Sequence, residues 1–155
     1  MENAAEIFCT LLPLEGERLL LPRACVAEVA AWNVPVPVSG APAWLLGRLA
    51  WNGTTVPVVS FEALQGHEVP PATGRTRVAL LRTLGPRLAG QWIGVVTQGF
   101  PQGLRVTRDA LKTAGSDLPP GRGPVLCRVL MVNESPLVPD LEALEALVAD
   151  ELAAP

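Results

Sequence analysis

A chain of 155 residues, 49% apolar and 17% charged, can bury one substantial core without disulfide or metal. Its formal charge of −3 argues against a nucleic-acid protein, which usually carries a basic surface. Sixteen prolines and fourteen glycines exclude long helices over most of the length and leave short strands with frequent turns.

The first ten residues, MENAAEIFCT, carry two early acids and no basic region, so they do not read as a signal peptide. No window approaches the roughly 18 to 20 apolar residues of a membrane span. A cytoplasmic protein with no membrane insertion is expected. Residues 7–14 read as a strand apolar on both faces, with Phe8, Thr10, Leu12 and Leu14 on one and Ile7, Cys9 and Leu11 on the other. Glu15-Gly16-Glu17 is a hairpin turn, residues 18–21 return, and Pro22 stops that strand. Residues 23–32 are Ala-rich, with Val26, Val29 and Ala30 at helical spacing, which predicts one or two helical turns. Residues 33–37 (NVPVP) must be extended, because each proline drives its predecessor out of the helical region.

Residues 41–64 organise the chain. A Pro-led apolar run ends at Gly47 and a strand follows to Trp51. Asn52-Gly53 then reverses the chain into a second strand, residues 54–59, and Ser60 opens a short helix. Asn-Gly between apolar runs is the strongest short hairpin signal, since a type I′ turn needs positive φ at both positions. Pro57 confines its strand to an edge, or to a place where its nitrogen faces away from a partner. Residues 76–81 and 91–96 are strands joined by a wide loop, and residues 98–105 read as irregular. Residues 107–111 predict one helical turn with Thr107 as N-cap, and residues 114–124 a long surface loop. Residues 125–132 and 137–138 are the last strands. Asp140 caps a helix from Leu141 to about Leu152. Leu141, Leu144, Leu147, Val148 and Leu152 form its apolar stripe, with Glu142, Glu145, Asp150 and Glu151 mostly away from it.

Residues 45–64 align without a gap on residues 125–144, an offset of 80. Leu46 falls on Leu126, Arg48 on Arg128, Val58 on Val138, Glu62-Ala63-Leu64 on Glu142-Ala143-Leu144, and Ser60 on the capping Asp140. Strand, turn, strand, cap and helix thus recur at one offset. This predicts two related β-lobes, each too small to bury its own apolar surface, around a shared core.

Catalytic chemistry finds little to work with. His67, the only histidine, lies in a polar loop and reads as solvated. No GxSxG, HExxH or Walker loop is present. Cys9, Cys25 and Cys127 lack metal spacing and suit reduced thiols, with Cys9 and Cys127 read as small core residues. Arg75, Arg77, Arg82 and Arg87 form a basic cluster without the interleaved aromatics of a single-strand RNA platform. Trp44, after Pro42 in a short loop, is read as the exposed tryptophan of the hairpin region.

Gly40-Ala41-Pro42-Ala43-Trp44-Leu45-Leu46-Gly47, then a strand, an X-Gly turn, Val56-Pro57-Val58-Val59 and a short helix, resembles the CheW-like domain of bacterial chemosensory systems. Residues 17–29 look like that family's first-lobe entry. Trp92-Ile93-Gly94-Val95-Val96 resembles its Gly-Val-Val strand, and Val138-Pro139-Asp140-Leu141 its closing motif. The resemblance implies a mainly β fold: two SH3-like five-stranded β-barrel lobes around a shared core, with short helices and a C-terminal helix. It implies one domain over residues 7–152, with lobe 1 about 15–82 and lobe 2 about 83–152, the N-terminal strand being free to join the second. It implies no catalysis and no cofactor. The expected partners are a histidine kinase's CheW-like regulatory domain, bound barrel to barrel, and the cytoplasmic tip of a methyl-accepting receptor. Asn52 stands where the family commonly has Arg, a residue tied in CheW to receptor contact, and Ser60 stands for its Asp. The wording around residues 19–29 and 59–63 looks closer to ChpC-type adaptors of type IV pilus (twitching) clusters. The partner-binding residues expected are Trp44, Leu46, Leu49, Trp51, Asn52, Gly53, Val56 and Val58. The competing readings are a small β-barrel binding a small ligand or single-stranded nucleic acid, and an enzyme resting on His67 with Cys25 or Ser60.

Overall fold

The computed structural model describes residues 6–107, 112–113 (backbone only), 123–131 and 133–153. The chain opens with an antiparallel hairpin, β1 (Glu6–Pro13) and β2 (Arg18–Pro22), in which Leu12 faces Leu19. A 3-10 turn (Arg23–Cys25) leads into β3 (Val26–Ala31), β4 (Leu45–Trp51), β5 (Thr54–Val59) and the short helix α1 (Phe61–Leu64). Then come β6 (Arg77–Arg82), β7 (Trp92–Thr97), β8 (Gln102–Thr107), β9 (Lys112–Thr113), β10 (Val125–Leu130), β11 (Leu137–Pro139) and the closing helix α2 (Leu141–Ala153).

The strands form two sheets, ordered β3-β6-β7-β5-β4 and β8-β1-β2-β11-β10-β9. The second therefore has six strands among the described residues where five were expected, the extra one being the two-residue β9 on its outer edge. The expected division of the lobes near residue 82 does not follow the sheets. Strand β7 lies inside the first sheet, antiparallel to β6 and parallel to β5. Not only β1 but also β2 belongs to the second sheet, where Leu19 pairs in parallel with Leu137. The first lobe is thus β3 to β7, and the second is β8 to β11 completed by the N-terminal hairpin.

The 80-residue repeat is visible in the hydrogen bonding. Leu45 faces Val59 and Val125 faces Pro139, with a bulge following at Gly47 and at Cys127. Arg48 faces Pro57 and Arg128 faces Leu137. The Ser60 N–H donates to the Trp44 carbonyl at 2.9 Å, and the Asp140 N–H to the Pro124 carbonyl at 2.7 Å. Both caps then act alike. Ser60 Oγ accepts the Ala63 N–H at 3.3 Å and Asp140 Oδ1 accepts the Ala143 N–H at 3.0 Å, each satisfying an N–H that a helix start leaves unpaired. Strand β5 runs parallel to β7 as β11 does to β2, so β6 and β7 of the first lobe correspond to β1 and β2 of the second.

Three apolar clusters follow from this arrangement. The largest joins both lobes: Leu12, Leu14, Leu19, Leu21 and Leu137 meet Leu45, Val59, Phe61, Leu81, Ile93 and Val95, with Leu144 and Val148 of α2. Val56, Val58, Val78, Leu80 and Val96 fill the first lobe. Cys9, Leu11, Leu20 and Val106 fill the second. This sharing satisfies the requirement that neither lobe could bury its own surface alone.

Three local expectations are corrected. Residues 26–31 are a strand, because Val29 pairs with Ala79 and Ala30 with Val78 across β6, and that pairing outweighs the helical preference of alanine. Residues 102–107 are a strand rather than irregular, since β1 supplies a ladder of partners along their length. On α2 the inward residues are Leu144, Glu145 and Val148, while Leu147 is exposed, so Glu145 lies on the buried face. The helical turn expected at residues 107–111 falls outside the described residues except for Thr107, which ends β8, and most of the loop expected at residues 114–124 lies outside them as well.

Candidate partner-binding surface

The β4–β5 hairpin closes through Asn52 at φ +50° and Gly53 at φ +76°, the pair of left-handed residues that a type I′ turn needs. Both are exposed at the tip. Trp51 is half-buried beneath it. Its indole Nε1 donates to the Glu28 carboxylate on β3 at 3.1 Å, and its ring meets Trp92 edge-on at 5.0 Å. The Arg82 guanidinium covers the far ring, 4.8 Å from the Trp92 centroid. Trp51 therefore spends one edge and its N–H on holding β4 to β3 and β7, and offers only what remains.

The other expected contact residues divide by burial. Leu46 and Leu49 are half-buried against the first-lobe cluster, and Trp44 is half-buried against the shared core. Val56 and Val58 are fully buried, at 0% exposure, and are removed from the partner-binding set. They lie in a run of four buried residues on β5 and pack with Val78 and Leu80, so no partner reaches them without opening the sheet.

The structure adds apolar residues that sequence reasoning passed over. The segment before β4 bridges it: the Val36 N–H donates to the Arg48 carbonyl at 2.8 Å and the Arg48 N–H to the Val36 carbonyl at 2.9 Å. Gly47 permits this approach, because at φ +143° a side chain would run into the Val36 carbonyl. The bridge leaves Val34 and Val36 at 80% and 70% exposure. Val34, with Trp32, Pro35, Leu46, Val69 and Val96, lines a groove of about 280 Å³ that has no charged residue in its wall. The signal was present in NVPVP: prolines donate nothing to a ladder, so this segment adds no more to the sheet than the single bridge at Val36.

A second concavity, about 550 Å³, lies between the lobes. Strand β3 supplies Val26, Glu28 and Val29, strand β8 supplies Leu104 and Arg105, and β1 supplies Phe8, which is half-exposed beneath the Arg105 guanidinium. Both β3 and β8 are sheet edges, so the cleft is walled by unpaired strand borders and mixed apolar and charged side chains. It shares no lining residue with the groove.

Of the residues proposed for catalysis, Ser60 has its hydroxyl engaged in capping. His67 is exposed, and its N–H donates to the Glu62 carbonyl. The Ser60 hydroxyl donates to the Glu62 carboxylate at 3.3 Å while capping α1. Burial raises the thiols of Cys9 and Cys25 above their ordinary value, which disfavours the thiolate a nucleophile needs. Among the described residues no group of three His, Cys, Asp or Glu is placed to hold a metal, and no helix is long and apolar enough to cross a membrane.

The family model of the CheW-like domain matches residues 9–146. Fifteen solved chains share the fold. One is the scaffolding protein CheW of Thermoanaerobacter tengcongensis, superposing with a TM-score of 0.73 at 13% identity over 87% of this chain and 89% of that one. No curated protein matches.

Proposed function

The chain belongs to the CheW-like domain family, and from that premise we propose that it is a non-catalytic adaptor coupling a chemosensory receptor to a histidine kinase. The observation that supports this reading is the pair of separate concave surfaces, a charge-free groove beside β4 and a mixed cleft between the lobes. An adaptor has to hold two partners at once, and surfaces without a shared residue allow it. The kinase's CheW-like regulatory domain is assigned to the β4 side, through Trp44, Leu46, Leu49, the free face of Trp51 and the Asn52-Gly53 tip, extended by Val34 and Val36. The receptor's cytoplasmic tip is assigned to the cleft. An amphipathic helix suits its apolar floor, with Arg105 and Glu28 at the walls to pair with charges on the helix. The pathway assigned is that of a type IV pilus system, on the wording of residues 19–29 and 59–63.

The test uses two substitutions on one hairpin. Leu49→Asp places a charge on a half-buried surface residue, and Val58→Asp buries one. In titration against the regulatory domain of the kinase encoded beside this protein, Leu49→Asp is expected to weaken binding about tenfold or more with an unchanged circular-dichroism spectrum. Val58→Asp is expected to lose the fold itself. Absence of any complex with the wild type, or equal loss of fold in both variants, overturns the assignment.

A further inference from the structure

Two carboxylates take no part in either surface, yet each is only 2% exposed: Glu62 on α1 and Glu145 on α2. Each reaches out of its own lobe. Glu62 Oε2 accepts the N–H of Glu15, in the β1–β2 turn of the second lobe, at 2.9 Å, and Gln98 Nε2 at 3.2 Å. Glu145 Oε1 and Oε2 accept the N–H groups of Gly85 and Arg87, in the β6–β7 loop of the first lobe, each at 2.8 Å. Since β6–β7 and β1–β2 are equivalent hairpins, the contacts are reciprocal: the helix of each lobe seats a carboxylate on the turn of the other. The fit at Gly85 is close, since a methyl there would lie 3.2 Å from Glu145 Oε1.

The rest of the contact between lobes is chiefly the shared apolar cluster, with an exposed ion pair at 2.6 Å from Arg87 to Asp150 on α2 that solvent screens. Hydrophobic attraction is non-directional, so it opposes separation but only weakly opposes a small slide or rotation. Hydrogen bonds from fixed backbone N–H groups to a buried carboxylate are directional, and displacing the partner turn costs Glu145 the two backbone donors it accepts and Glu62 its one backbone donor, that of Glu15. Two such contacts, one on each hairpin, leave only rotation about the line that joins them, and the packed cluster between the lobes opposes that. We propose that Glu62 and Glu145 are reciprocal latches that set the angle between the lobes and so the shape of the cleft between β3 and β8. They are positioning residues, and the inference stands whichever partner enters that cleft.

Glutamine tests this with little change of shape, because it retains one acceptor oxygen and turns a donor towards the other N–H. In the wild type, the amides of Gly85 and Arg87 are expected to exchange slowly, and residual dipolar couplings from both lobes to fit one alignment tensor. In Glu145→Gln those two amides should exchange about tenfold faster or more, and the lobes should require separate tensors, while each lobe still fits internally. A purely structural role would lower stability without moving one lobe against the other. A single tensor for the variant therefore overturns the proposal, as does exchange at Gly85 and Arg87 in the wild type as fast as in an exposed loop. Should Glu145→Gln fail to fold, Glu62→Gln decides in the same way, read at the Glu15 amide.

Discussion

Replacing Gly47 by alanine should cost far more than its place on an edge strand suggests. At φ +143° the new methyl would lie on the Val36 carbonyl and close to the Pro35 ring. The chain can relieve that only by lifting residues 35–36 off β4, which breaks the two bonds between Val36 and Arg48. Two backbone bonds contribute about 0.5–1.5 kcal/mol each, and a non-glycine residue held at that φ costs about 1–3 kcal/mol more. The sum is about 2–6 kcal/mol. Pro35 is buried, so the segment cannot simply swing into solvent, but some relaxation places the expectation at about 3 kcal/mol. Urea unfolding followed by tryptophan fluorescence would read this as a midpoint lowered by about 1–2 M with an unchanged slope. Gly53→Ala is the control. Its φ is +76° with nothing within 4 Å of the added carbon, so it carries only the backbone cost, about 1 kcal/mol. If Gly47→Ala loses no more than Gly53→Ala, the close approach of Val36 contributes nothing and the groove it builds is not held as described.

Asn52→Ala keeps the exposed hairpin but forces a left-handed φ on a residue without a side-chain amide; a loss of about 1 kcal/mol is expected in thermal unfolding, and none would mean the turn is not type I′ in solution. Burial raises the thiols of Cys9 and Cys25, so in the folded protein their alkylation should lag that of the unfolded chain at neutral pH and accelerate only above the ordinary thiol range. Mass spectrometry of iodoacetamide-treated protein would show it, and full labelling of both sites at pH 7 as fast as in urea would refute the burial.

Much of the fold was legible because local rules and tertiary packing agree. Asn52-Gly53 marks a turn by its φ requirement, and Ser60 and Asp140 mark helix starts by their oxygens. The offset of 80 predicted two lobes, and it matches the two ladders down to the bulges at Gly47 and Cys127. What failed did so where a distant partner decides. Nothing local distinguishes Val26–Ala31 as a strand, because its alanines are chosen for pairing with β6. Glu145 reads as solvated on its charge, although helical spacing sets it beside Leu141 and Val148; its donors lie on Gly85 and Arg87, far away in the chain. The binding surface was half legible. The hairpin tip could be found from its turn, but Val56 and Val58 were misplaced by treating an apolar strand as one surface when its residues are enclosed by the first-lobe cluster. The groove beside it depends on Val34 and Val36 lying against β4, which Gly47 allows but no single segment announces.

The repeat has a consequence for how the lobes depend on each other. In the first lobe β3 to β7 follow one another along the chain, so its sheet can close from contiguous sequence. The second needs β2 between β1 and β11, and the Leu19–Leu137 pairing joins the two ends of the described chain. Until that pairing forms, β8 with β1 and β10 with β11 are fragments with open edges. Such long-range closure is entropically costly, so the second lobe depends more on contacts distant in sequence than the first does. It cannot consolidate alone, because its α2 is packed on the shared core and Glu145 on that helix is seated in the first lobe's β6–β7 loop. The first lobe thus supports the second, and Glu62, seated on the β1–β2 turn, returns the constraint. The two lobes of such a molecule are tied at both ends: the β1–β2 turn of the second is held by α1 of the first, and the β6–β7 loop of the first by α2 of the second.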